Sequence, residues 1–112
     1  MDRRVICFMA FLAVSVAASD VRAQMGAGNP REGLTLAQQV CSECHATRAG
    51  QDSPNSKSPT FVEIATIPGM TGTALTVALT TPHAGMPMFN LSTAQRDNII
   101  AYVLSLKAGA DD

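Results

Sequence analysis

Cys41-Ser42-Glu43-Cys44-His45 is the stretch on which the reading of this chain turns. It has the form C-x-x-C-H, the attachment pattern for a c-type haem. Two thiols can add across the two vinyl groups of one haem to give two thioether bonds. A spacing of three puts both sulfurs on one side of a single helical turn. His45 follows directly, so its imidazole can reach the iron from the proximal face. The competing view is a chance grouping of two small apolar thiols and a surface histidine. In a chain with only three cysteines that is the weaker explanation.

Working outward from that motif, the first residues read as a separate segment. Arg3 and Arg4 precede an apolar run from Val5 to Ala18 in which only Ser15 is polar. Val21-Arg22-Ala23 then offers small or aliphatic positions before a cut. This is the build of a secretory signal, with cleavage expected after Ala23. The apolar run is too short to span a hydrocarbon layer of roughly 30 Å, so stable membrane insertion is not expected. Cys7 leaves with that segment, and only Cys41 and Cys44 remain. The expected organisation is a cleaved signal over 1–23, a flexible N-terminus over 24–28, one domain over 29–108 and a flexible tail over 109–112.

A disulfide between Cys41 and Cys44 would close too short a loop to constrain much chain. A haem would instead supply a large apolar body to a domain otherwise short of interior. Beyond the signal, the bases are Arg31, Arg48, Lys57, Arg96 and Lys107. They face the acids Glu32, Glu43, Asp52, Glu63, Asp97, Asp111 and Asp112. That mild acidic excess favours neither nucleic acid nor an anionic membrane surface, and it provides no ring of lysines.

Four helices are expected. Asn29-Pro30-Arg31-Glu32 reads as a cap, a first-turn proline and a capping box, with Thr35-x-x-Gln38 as a second possible start. Leu36, Val40 and Cys44, beside Ala37 and Cys41, form an apolar stripe that places the haem motif at the end of this first helix. Residues 46–58 hold turn formers and no large apolar side chain, and read as a loop. Thr60-x-x-Glu63 caps a short second helix to about Thr66, stopped by Pro68-Gly69. This leaves the Pro59 carbonyl outside the helix. A third helix runs from Met70 or Thr71 to about Thr80, before Pro82. Ser92-x-x-Gln95 opens the last, reaching about Lys107 with Ile99, Ile100, Val103, Leu104 and Leu106 as its apolar face. No stretch alternates with period two, so no sheet is expected.

A haem bound by His45 has a sixth iron position to fill. Met70, His83, Met86 and Met88 are the candidates, or the position stays open. Met86 is the first choice and Met88 the second, because both lie in a Gly- and Pro-rich loop and Pro87 holds Met86 extended. The default for Met88 is packing beside Phe89. The default for His83 is a hydrogen bond to backbone or to a haem propionate. A neutral sulfur ligand raises the reduction potential. A zinc site built from Cys41, Cys44, His45 and His83 is disfavoured, since adjacent Cys44 and His45 point poorly at one tetrahedral ion.

Several features together resemble a known family. They are Gly33, Cys41 to Ala46, Ser58-Pro59-Thr60-Phe61, Pro82-His83-Ala84-Gly85-Met86-Pro87, and Leu91-Ser92 leading to residues 100–107. In that order they are similar to the class I cytochromes c of the small bacterial periplasmic kind. The resemblance implies an all-α fold of three to four helices around one covalent haem c, the first and last helices crossing. It places Gly33 against Tyr102 at that crossing and gives a proline carbonyl to the Nδ1–H of His45, with Pro59 as the match and Pro54-Asn55 as the second choice. Trp, which many relatives place near a propionate, is missing here, leaving Arg48 and Lys57 as guesses for that contact. The implied function is one-electron transfer in the periplasm, not enzymatic turnover. Partners would be a dehydrogenase, oxidase or reductase docking transiently on a monomer, or a periplasmic dehydrogenase of which this chain is a subunit. The alternative is a five-coordinate haem with peroxidase or gas-binding activity, with His83 as its distal group.

Overall fold

The computed structural model describes residues 27–110. The expected signal over 1–23, residues 24–26 and the two final aspartates lie outside the described residues. The chain forms α1 (Pro30–Val40), α2 (Phe61–Thr66), α3 (Gly72–Thr80) and α4 (Thr93–Ser105). Among the described residues there is no strand, only an isolated bridge between His83 and Met86.

Local chemistry sets the helix starts. Thr60 and Ser92 each close a reciprocal capping box, with Glu63 and Gln95. Each box satisfies two backbone N–H groups that no helical carbonyl can reach. Thr71 caps α3 through its hydroxyl and the Ala74 N–H, 3.1 Å apart. Asn29 caps α1, and Pro30 occupies its first turn. Here the expected box is only half made. The Glu32 carboxylate turns away to Asn98 Nδ2 at 2.9 Å, while the Asn29 N–H donates to Asn98 Oδ1 at 2.7 Å. One amide on the last helix thus serves the start of the first.

α4 lies at the centre. Residues Ile99 to Leu104 are buried without a break, and α1, α2 and α3 all pack on this helix. α1 makes the most extensive contact. The buried positions of α1 are Gly33 and Ala37, while Leu36 and Val40 are only half-buried. The close face is therefore made of small residues, which let two backbones approach. A Cβ on Gly33 would strike the backbone carbonyl of Asn98 and lie 2.9 Å from Tyr102 Cβ. One on Gly28 would strike the Asp97 carbonyl. Past α4, the Lys107 ammonium donates to the Met70 carbonyl at 3.0 Å and ties that end to the α2–α3 turn.

Candidate functional site

α1 ends where its carbonyls turn inward on the motif. Cys41 N–H donates to the Ala37 carbonyl, and Cys44 and His45 N–H both donate to the Cys41 carbonyl, at 3.2 and 2.9 Å. Cys41, Cys44 and His45 therefore share one closed turn. Both cysteines are free and half-buried. Burial pushes the Cys41 thiol up to about 11, so it stays protonated at neutral pH.

The His45 ring is held from two sides. Its Nδ1 lies 2.6 Å from the Pro59 carbonyl oxygen. A carbonyl only accepts, so the proton of a neutral ring belongs on Nδ1 and Nε2 keeps its lone pair. Phe61 lies against the same ring, 5.7 Å between centroids and tilted by 54°. Phe61 also packs on Tyr102, at 6.3 Å. The carbonyl of Pro59 is available because α2 begins two residues later with its own cap. Phe61 N–H to the Ala46 carbonyl, at 2.9 Å, clamps the two segments together.

The loop between them is tied back onto the motif. Ser53 Oγ accepts from the Ala46 N–H at 3.0 Å, and the Asn55 N–H donates to the Cys44 carbonyl at 3.2 Å. Thr47 is buried, and its carbonyl accepts the Tyr102 hydroxyl. Burial raises the Tyr102 phenol above its usual value, with the nearby Arg48 charge pulling the other way.

These elements enclose a cavity of about 580 Å³. That size lies within the ordinary range for cofactor sites. Cys41, His45, Pro59 and Phe61 form part of its wall, and Leu75, Ile99, Ile100 and Val103 form another. The α3–α4 loop brings His83 to Met86 to it as a turn, with Gly85 at φ +82 and the Met86 N–H 3.4 Å from the His83 carbonyl. A positive φ at the third position of a turn is where glycine is required. Met86 is half-buried on the cavity wall, as is Met70. Met88 is 53% exposed and lies off the wall. His83 Nδ1 sits 3.1 Å from the Thr81 carbonyl.

Cys41, His45, Pro59 and Met86 thus meet at one cavity, with Cys44 on the adjoining turn. Gly33 and Tyr102 meet at the α1–α4 contact. Among the described residues no three His, Cys, Asp or Glu side chains gather as a metal site. Sequence reasoning does not single out Asn98, Thr47 or Ser53, and it offers Asn55 only beside Pro54 as a second choice for the His45 carbonyl, whereas Asn55 bonds Cys44 instead. Asn98 closes the polar stretch Gln95-Arg96-Asp97 just before the apolar run, where nothing in the pattern marks it. The others act through backbone contacts that no spacing reveals.

A helical frame with its first and last helices packed together, and a C-x-x-C-H turn on the wall of an apolar cavity, is the architecture of a c-type cytochrome domain. The family described as "Cytochrome C oxidase, cbb3-type, subunit III" matches residues 28–103. Cytochrome c-552 of Bradyrhizobium diazoefficiens is 33% identical over 96 residues, covering 86% of this chain and 90% of that protein. No solved structure matches significantly. The chain belongs to the cytochrome c family. It is an electron carrier of that general kind, with a domain that implies covalent haem c. No described helix is long and apolar enough to cross a membrane.

Proposed function

We propose that this chain is an exported, periplasmic one-electron carrier with one haem c joined through Cys41 and Cys44 and ligated by His45 and Met86. The observation that carries the reading is the cavity that has His45 and Met86 on its wall while the Pro59 carbonyl holds the other His45 nitrogen. That second contact orients the ring and raises the basicity of Nε2. When bound, the group would supply a ferric–ferrous couple, and the Met86 thioether together with the His45 imidazole would favour the reduced form. Gly85 and Pro87 on either side of Met86 fix the backbone that presents its sulfur. Leu75, Ile99, Ile100 and Val103 keep water from the cavity wall. With His45 and Met86 both holding the iron, no position on it would be left to a substrate, which fits a carrier and not an enzyme.

Electrons would pass to partners that dock transiently where the cavity opens. Pro59, Ile67, Ala78, Ala84 and Gly85 are exposed on its wall, and Lys57 is the charged residue there. Between Glu63 and Arg96 the chain has no Asp, Glu, Lys or Arg. The partner this surface fits is a redox protein with an uncharged face over its own cofactor, an oxidase, reductase or dehydrogenase. The chain would serve it as a free shuttle or as a dehydrogenase subunit.

The test is spectroscopic. A pyridine haemochrome assay on protein from cells competent in cytochrome maturation should give haem c at one per chain. The ferric protein should be low-spin with the weak red band of a methionine–iron bond. Met86→Ala should abolish that band and lower the potential, and Met88→Ala should leave both unchanged. Loss of the band in Met88→Ala instead would overturn the ligand assignment.

A further inference from the structure

We propose that Arg96 is a positioning residue for the loop that carries Met86, its guanidinium donating to main-chain carbonyls of residues 87–91 in the haem-loaded protein. The inference rests on the His45–Met86 reading above. Its starting point is a buried group that nothing else in the fold uses. Arg96 is half-buried on α4, and its Nε is shut off from solvent without an acceptor among the described residues. A guanidinium stays charged and only donates. Such a donor is costly to bury unpaired, so one that is kept points to an acceptor that approaches it.

Helix register says where that acceptor lies. Arg96, Ile99, Ile100 and Val103 stand at i, i+3, i+4 and i+7 and share one face of α4. The last three line the cavity, so Arg96 prolongs the cavity stripe by one turn toward the start of the helix. Asn98 and Tyr102, which meet Gly33, lie on the other side. Side chains on a helix lean toward its N-terminus, so position 96 covers the turn at Ser92 and the chain entering it. That chain is the Met86 loop, whose residues His83 to Met86 border the same cavity and whose Leu91 packs on the buried core. Between Glu63 and Arg96 there is no Asp or Glu, so α3 and the loop offer this cation main-chain oxygen rather than a carboxylate. Of the carbonyls from Gly85 to Asn90, that of Phe89 alone accepts a hydrogen bond among the described residues, from the Leu91 N–H at 3.0 Å. The loop's own bonds are local, and among the described residues none ties 82–91 to another element. A donor without an acceptor thus stands beside a ligand-bearing loop with acceptors to spare.

A thioether stays on iron only while its loop stays closed. The measurement is the entry of imidazole to the ferric holoprotein, which requires Met86 to leave first and is read as loss of the weak red band. A wild-type protein without haem c or without that band would refute the axial reading and this inference with it. Given the band, Arg96→Met should speed imidazole entry about ten- to a hundredfold, the factor for losing one hydrogen bond to a charged group. Arg96→Lys keeps a donor and should recover most of the difference. Gly50→Ala, which strains an open turn at φ +76 away from the cavity wall, should lower global stability and leave imidazole entry at the wild-type rate. A second measurement needs no substitution. In the nuclear magnetic resonance spectrum of the ferrous holoprotein, the Arg96 Nε proton should exchange slowly and cross-relax with protons of residues 87–91. Unchanged imidazole entry in Arg96→Met, equal acceleration in Gly50→Ala, no recovery in Arg96→Lys, or an Nε proton without cross-relaxation to 87–91 would overturn the proposal while leaving the axial pair intact.

Discussion

Gly33→Ala tests the contact on which the whole frame depends. Alanine is the better helix former by about 1 kcal/mol, so on α1 alone the substitution would stabilise. The structure reverses that expectation. The added methyl group would strike the Asn98 backbone carbonyl, and Tyr102 Cβ would lie 2.9 Å away. Neither neighbour is the flexible tip of a side chain, so the helices must separate. Overpacking of this kind costs about 1–3 kcal/mol. Separation also stretches the two bonds that Asn98 makes to Asn29 and Glu32, each contributing about 1 kcal/mol. Set against the propensity gain, the expected net loss is about 2–4 kcal/mol, or on the order of 10–30 °C in Tm for a domain of this size. Guanidinium unfolding of the holoprotein, followed by far-ultraviolet circular dichroism and by haem absorbance, reads it directly. Gly69→Ala is the control. Gly69 has φ +77 with open space around it, so its loss is confined to local backbone strain of about 1–2 kcal/mol. A Gly33→Ala protein as stable as wild type would refute the close approach of α1 and α4.

Three further outcomes are expected. Tyr102→Phe leaves the buried Thr47 carbonyl without its donor, for a loss of about 1–3 kcal/mol at neutral pH. It also changes the alkaline limb. Because the folded phenol titrates above its usual value, the unfolded chain gives up this proton first. The phenol's contribution is therefore complete below about pH 10 and is lost as pH rises toward the folded value, so the variant should show a shallower decline there. Stopped-flow electron transfer to an oxidase or reductase partner should vary little with ionic strength, and Ile67→Lys should introduce a salt dependence. A several-fold fall in the wild-type rate between low and physiological salt would contradict the uncharged docking face. Finally, the Cys41→Ser/Cys44→Ser double variant should lack helical circular dichroism, and a cooperatively folded colourless protein would refute the dependence of the fold on its cofactor.

Where structure follows from neighbours in sequence, the chain is readable. Thr60 with Glu63 and Ser92 with Gln95 form both expected boxes, and α2 and α3 stop where Pro68 and Pro82 require. Asn29 and Glu32 carry the same signature, yet Glu32 leaves the box for Asn98, because a partner on α4 competes with the local N–H. The α1 stripe is similarly redirected. Leu36 and Val40 are its largest apolar residues, but a close backbone approach favours Gly33 and Ala37, and bulk is excluded from that face. At the site, the C-x-x-C-H spacing marks the turn directly, while the pairing of His45 with Pro59 came through family resemblance. Residues 46–58 are legible as a loop but their ties to the motif are not, since Ser53 and Asn55 act by binding main-chain groups of the motif. Such contacts leave no periodicity and no composition bias.

The aromatic relay from Tyr102 through Phe61 to His45 links the helix frame to the site. Tyr102 is fixed by Gly33 on one side and by the Thr47 carbonyl on the other. Phe61 is the first residue of α2, so its place depends on the Thr60 cap as well as on Tyr102. The imidazole thus leans on a ring whose position is set by the α1–α4 contact. Ile99, Ile100 and Val103 carry the same connection from the other direction, since they belong to the buried length of α4 and also form the cavity wall. A single helix therefore gives one face to α1 and another to the ligand. Small residues line the first face, and a large apolar body would complete the second. In a chain this short, the interior that the helices lack is the interior that the cofactor brings. The residues that orient His45 and those that stabilise the fold are for this reason largely the same, and substitutions at the α1–α4 contact should register in the spectrum of the haem as well as in the melting curve.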